Sequence, residues 1–126
     1  MSTIKADNIA NLSGVSTTVT SVVYGSAKAW VNFNGTGTVA VRGAYNVSSI
    51  TDNAIGDYTI NFFTALGTAN YCAVGMAQRE AANDEVNLSI KQGVTPTTSA
   101  LRIRAVTPSS NSAQDPLIAC VAVFSF

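Results

Sequence analysis

The 126-residue chain contains no histidine at all. That one absence removes the commonest general base, the usual sensor of neutral pH and the commonest metal ligand. Charge is scarce too: Asp, Glu, Lys and Arg make up 11% of the residues, against about 25% in ordinary globular domains. Seven basic and seven acidic side chains cancel to a net charge of zero, so no basic stripe can follow a nucleic-acid backbone. Only two cysteines occur, Cys72 and Cys120, each inside an apolar run. A secreted disulfide scaffold would carry more, usually in turns or at strand ends. The pair is read as buried free thiols, with a mutual disulfide or a reactive thiol as the alternatives. No apolar run reaches the roughly 18 residues of a membrane span. Met1 to Leu12 is polar and lacks the apolar centre of a signal peptide. The expectation is a chain made in the cytoplasm, with no membrane insertion.

What is present is a large apolar fraction, 47%, kept soluble by Ser, Thr and Asn rather than by charge. The length suits one domain with one modest core. A chain this apolar has surface to spare, which an oligomer could hide.

Residues 1–26 differ from the rest. Asn11 to Ser26 is rich in Ser, Thr and Val, with too few large apolar groups for a core. Its β-branched residues favour extended structure over helix. It reads as an N-terminal arm for docking or oligomerisation. From Ala27 to Phe126, short runs alternate with turn signals at the spacing of a sandwich or barrel. The runs are Ala27–Phe33, Thr38–Arg42, Asn46–Thr51, Tyr58–Phe63, Tyr71–Ala77, Val86–Ile90, Leu101–Ala105 and Leu117–Phe126. This predicts an all-β fold: an antiparallel, jelly-roll-like β-sandwich of about eight strands, preceded by an extended arm. No helix is expected beyond a possible single turn over Glu80–Glu85, where Asn83-Asp84 favours a loop.

The last run is apolar on both faces. Ile118, Cys120, Ala122, Phe124 and Phe126 share one side; Leu117, Ala119, Val121 and Val123 share the other. A surface strand of an antiparallel sheet would alternate dry and wet, so this one is expected to be covered twice. One face would enter the core and the second would meet a neighbouring subunit, with Leu117, Ala119, Val121 and Val123 as the candidate interface. The other possibility is a central strand with a loop folded over it.

Catalysis fails on inventory. Without histidine a Ser or Cys nucleophile needs a lysine or an unusual carboxylate as base, and Lys5, Lys28 and Lys91 have no motif spacing to any serine. The acids Asp52, Asp57, Glu80, Asp84 and Glu85 read as solvated loop residues rather than a glycosidase pair. Asp52–Asp57 lacks the spacing of the EF-hand calcium loop and is better taken as a hairpin turn. Asn34-Gly35-Thr36-Gly37 lacks the spacing and following helix of a phosphate loop, so its glycines are assigned to a hairpin. No enzyme, cofactor or metal site is expected. Trp30 falls on the face opposite Ala29, Val31 and Phe33, beside Lys28 and Asn32. It is either a packing residue or a platform on which a sugar could stack. Arg102 and Arg104 share one face of a strand, where they meet solvent or an acidic glycan.

Two stretches carry a resemblance. Gly25-Ser-Ala-Lys-Ala-Trp-Val-Asn-Phe-Asn-Gly-Thr-Gly37 continues through Thr38–Arg42, Tyr45–Asn53 and Gly56–Phe62, and the chain closes with Asp115-Pro-Leu-Ile-Ala-Cys-Val-Ala-Val-Phe124. Both resemble a C-terminal β module of tail-fibre and other virion proteins of marine tailed phages. The resemblance is dense at both ends and loose between Gly67 and Asn111, and only about 25 residues stand where such fibres carry a longer shaft. It implies a virion structural protein, a short tail fibre or tip knob that adheres to the host surface as a homotrimer. Its partners would be other virion proteins through the arm, and a host glycan or protein through the loops. A capsid decoration or head-fibre protein fits the same pattern, and a monomeric carbohydrate-binding module is the rival from another class. Loop composition places recognition in Gln78–Glu85, Gly93–Ser99 and Thr107–Asp115. The candidate receptor-facing residues are Trp30, Gln78, Arg79, Asp84 and Glu85.

Overall fold

Alternation with a period of two should place every second side chain of each run on one inner face, and it does so in two separate sheets. The computed structural model describes residues 5–10, 12–80 and 85–126. Two short strands, β1 (Asn8–Ala10) and β2 (Ser16–Thr18), pair as a hairpin and lead into α1 (Val19–Gly25). Eight strands follow: β3 (Ala29–Asn34), β4 (Ala40–Tyr45), β5 (Val47–Ala54), β6 (Asp57–Phe62), β7 (Cys72–Gln78), β8 (Asn87–Ile90), β9 (Ala100–Val106) and β10 (Ile118–Phe124). They form two four-stranded antiparallel sheets, ordered β4-β3-β10-β7 and β5-β6-β9-β8. The first and last strands of the sandwich, β3 and β10, lie side by side. Strands β6 and β9 are neighbours in the other sheet, and the chain changes sheet at β4–β5, β6–β7, β7–β8 and β9–β10. The expected antiparallel sandwich of eight strands is what the chain builds.

The core lies between the sheets. Ala29, Val31, Phe33, Ala119, Val121 and Val123 face Tyr58, Ile60, Phe62, Leu101 and Ile103, all buried. Phe33 and Tyr58 meet edge-to-face with ring centroids 5.2 Å apart, the arrangement their ring quadrupoles favour. Gly75 of β7 packs tightly against its neighbour β10 and against Leu88 of the opposite sheet. A Cβ there would sit 2.9 Å from the Cys120 carbonyl oxygen and 3.1 Å from a Leu88 methyl.

Four expectations need correction. The arm is not wholly extended, because α1 forms despite its valines and threonines. Thr18 caps it, its hydroxyl accepting from the Ser21 amide at 3.1 Å, and that bond offsets much of the small propensity cost. Nothing in α1 is buried. The turn expected over Asp52–Asp57 is tighter than it looked: β5 runs to Ala54, and Ile55-Gly56 alone reverses the chain, with Gly56 at φ +63°. The cysteines are free but not buried, since Cys72 is exposed and Cys120 half-buried. Finally, Asp57 is no solvated loop acid, for it is only 6% exposed. The single helical turn considered at Glu80–Glu85 falls mostly outside the described residues.

Candidate functional site

The antiparallel register decides which candidate residues share an end. Strand β3 leaves the arm at Ala29 and runs away from it, and β10 returns. Cys72 of β7 pairs with Phe124 and Gln78 pairs with Ile118. One end of the sandwich therefore holds the arm junction, segments 63–71 and 91–99, and Ser125-Phe126. The opposite end holds 35–39, 55–56, residues 79–80 and 85–86 next to β7 and β8, and the 107–117 loop. Of the three loops expected to recognise a partner, 107–115 and the described ends of 78–85 lie at the end remote from the arm, while 93–99 sits at the arm end.

Gln78 and Glu85 are exposed at that remote end, with Arg79 half-buried beside them. Asp84 lies outside the described residues. Trp30 is not with them. It pairs across the sheet with Ala122, four residues along β10 from the Ile118 that faces Gln78, a separation of about 13 Å at ~3.3 Å per residue. The structure thus divides the candidates into a loop cluster and a sheet-face aromatic.

The remote end is held rigidly. The Tyr58 hydroxyl donates to Asp115 Oδ1 at 2.6 Å, and the Gly56 amide donates to the same oxygen at 2.8 Å. The Gly35 amide donates to the Pro116 carbonyl at 2.8 Å. A Cβ on Gly35 would lie 2.6 Å from the Tyr58 oxygen and 2.8 Å from Pro116, so only glycine fits. Burial first, then the Asp115 carboxylate, push the Tyr58 hydroxyl above its ordinary range, and it stays a donor. Within the loop, Thr107 N–H donates to the Ser112 carbonyl at 2.9 Å and Asn111 N–H to the Thr107 carbonyl at 2.8 Å. Arg104 Nη2 reaches the Asn111 carbonyl at 3.2 Å. A loop tied at this many points presents its exposed Pro108–Ser112 stretch in one shape, which lowers the ordering cost of binding.

On the outer face of the β5-β6-β9-β8 sheet, Asp57 accepts from Arg102 Nε at 2.7 Å and Arg102 Nη2 at 3.0 Å, with Lys91 Nζ at 3.0 Å. The Arg102 fork, more than offsetting burial, holds the Asp57 carboxyl below the usual carboxylate range. Arg102 and Arg104 are therefore already engaged with this chain. No three His, Cys, Asp or Glu side chains come together as a metal cage among the described residues.

The candidate interface residues turn inward. Ala119, Val121 and Val123 fill the core, Leu117 is half-buried, and the Leu117 carbonyl accepts from Arg42 Nη2 at 2.7 Å. It is the opposite face of β10, with Cys120, Ala122 and Phe124, that points outward. Both faces are apolar, so periodicity alone could not say which one enters the core. Residues that the sequence did not offer as interface candidates share that outward face: Tyr45, Cys72, Val74 and Met76. Their signal was present in β7, whose Cys72–Ala77 stretch is apolar on both sides like β10. No protein-family model, curated protein or solved structure matches this chain.

Proposed function

We propose that the protein is a phage virion structural protein, a short tail fibre or tip knob that mediates host-surface adhesion as a homotrimer. The observation that carries this reading is the separation of the arm from the tied loops. The arm joins the sandwich at one end, and Gln78, Arg79, Glu85 and the 107–117 loop gather at the other. A docking tail and a recognition surface at opposite poles suit a projection. The resemblance of residues 25–62 and 115–124 to virion β modules supports the same assignment. Three weak sites on one knob would gain avidity through effective concentration, without any new contact.

Fluorescently labelled protein applied to intact host cells tests this reading. Binding should saturate, and Gln78→Ala with Arg79→Ala should weaken it at least tenfold while leaving the fold intact. Cells that bind neither protein contradict adhesion. Antibody labelling of intact particles then separates tail from capsid decoration. A monomeric carbohydrate-binding module remains the second reading, favoured by one observation: Trp30 and Tyr45 are cross-strand partners, both exposed on a sheet face.

A further inference from the structure

The outer face of the β4-β3-β10-β7 sheet is dry. Register places Tyr45, Trp30, Ala122 and Val74 in one row across four strands, and Gly43, Asn32, Cys120 and Met76 in the next. Tyr45 is 58% exposed, Trp30 43%, Val74 53% and Met76 80%. Aromatic side chains offer roughly 150–250 Å² each, so these exposures leave on the order of 500 Å² of contiguous apolar surface. That is the upper part of the range found on monomers, and more than half of the ~800 Å² per partner that a stable pairing takes.

From this we infer that copies of this chain meet through the outer face of the β4-β3-β10-β7 sheet, with Trp30, Val74, Met76, Cys120 and Ala122 at the contact. The inference rests on the proposed assembly and names the surface that makes it. Three observations select a second copy as the occupant. First, neither row contains a charged side chain, and the one cation that reaches Asn32, Arg42, already donates to the Leu117 carbonyl at 2.7 Å, so an equally apolar surface fits these rows better than a charged one. Second, the polar groups of the two rows are few and spread out: the Tyr45 hydroxyl, the Trp30 indole N–H and the Asn32 amide, whose Oδ1 already accepts from Arg42 Nη1 at 3.4 Å. A sugar site needs several convergent polar groups beside its aromatic. Third, the arm runs directly into β3, where Trp30 sits, and the helix of that arm buries nothing. Val22, Val23 and Tyr24 are exposed beside the same end of the sandwich. Association of like chains accounts for both uncovered regions at once.

Light scattering on a sizing column, with wild type, Met76→Glu, Val74→Asp and Ile55→Asp, tests the inference. Ile55 is an exposed apolar residue at the remote turn and serves as the control. Wild type and Ile55→Asp should give the same multiple of 13.0 kDa, and Met76→Glu and Val74→Asp should fall to 13.0 kDa with unchanged far-ultraviolet dichroism. A threefold mass that dissociates in this way supports both the face and the trimer. A twofold mass that dissociates supports the face and overturns the trimer: a face meeting the same part of itself closes as a pair, whereas three copies about one axis meet through different parts of it. Variants that keep the wild-type multiple overturn the face and leave the assembly standing. A wild type of 13.0 kDa at every concentration overturns both. Binding of a soluble glycan that Trp30→Ala abolishes would make the face a sugar platform and overturn the inference.

Discussion

The two sheets of this sandwich share one core yet turn opposite characters outward. On the β5-β6-β9-β8 sheet the outward residues are polar and tied to one another. Asn53 Nδ2 donates to Thr59 Oγ1 at 2.9 Å, Asn61 Nδ2 to Thr51 Oγ1 at 2.9 Å, and Asp57 binds Arg102 and Lys91. On the β4-β3-β10-β7 sheet the corresponding positions are Trp30, Cys120, Ala122, Val74 and Met76. A half-buried antiparallel sheet normally wets its outer face, and the first sheet does. The same chain, with the same scarcity of charge, therefore builds a solvent face where it needs one. The dry face is a property of one sheet rather than of the composition, and that locates the surface an assembly would cover.

The largest difference between the faces should appear at Asp57. Asp57→Ala leaves two cations beside a half-closed site and should cost about 2 kcal/mol in urea unfolding, between the values of exposed and buried pairs. Met76→Glu, which alters the dry face by a full charge, should change the stability of the single chain by under ~0.5 kcal/mol, as exposed substitutions do. Equal costs would erase the distinction between a tied face and an untied one.

At the remote end, Tyr58→Phe should cost about 1–2 kcal/mol by leaving Asp115 without its hydroxyl donor. A double-mutant cycle with Asp115→Ala should show positive coupling. Additive effects would mean that the 107–117 loop is not held by this bond.

The acid limb of stability sharpens the comparison further. Asp57 titrates below its ordinary value of 3.8 in the folded chain, so its contribution is complete above about pH 4. It is lost as pH falls through the lower folded value. Wild type should weaken below pH 4 more steeply than Asp57→Asn, measured by urea midpoints across pH 2 to 6. Parallel slopes would remove Asp57 from the account.

The smallest effect is expected in the polar ladder. Asn61→Ala should cost under about 1 kcal/mol, because its two hydroxyl partners can turn to water.

Much of this architecture was legible because strands with one wet face announce themselves. Tyr58-Thr59-Ile60-Asn61-Phe62 and Leu101-Arg102-Ile103-Arg104 alternate, and each is a strand with its apolar residues inward. Where both faces are apolar, alternation is silent. Leu117, Ala119, Val121 and Val123 are the expected subunit contact, yet Ala119, Val121 and Val123 fill the core, and Cys120, Ala122 and Phe124 face outward. The tie between Tyr58 and Asp115 spans 57 positions in sequence, and no local pattern reports such a bond. Asp57 looked like a turn acid because Gly56 precedes it, yet its strand position sets it against Arg102. The cap that makes α1 a helix was likewise masked by valines and threonines that favour strands.

Thiol labelling tests the central claim most directly, because Cys72 and Cys120 both stand on the dry face. A fluorescent maleimide should react slowly with both in concentrated native protein, and several-fold faster in Met76→Glu or on dilution below the assembly threshold. Fast, complete labelling of Cys72 in wild type, at a rate that neither concentration nor Met76→Glu changes, would contradict a covered face.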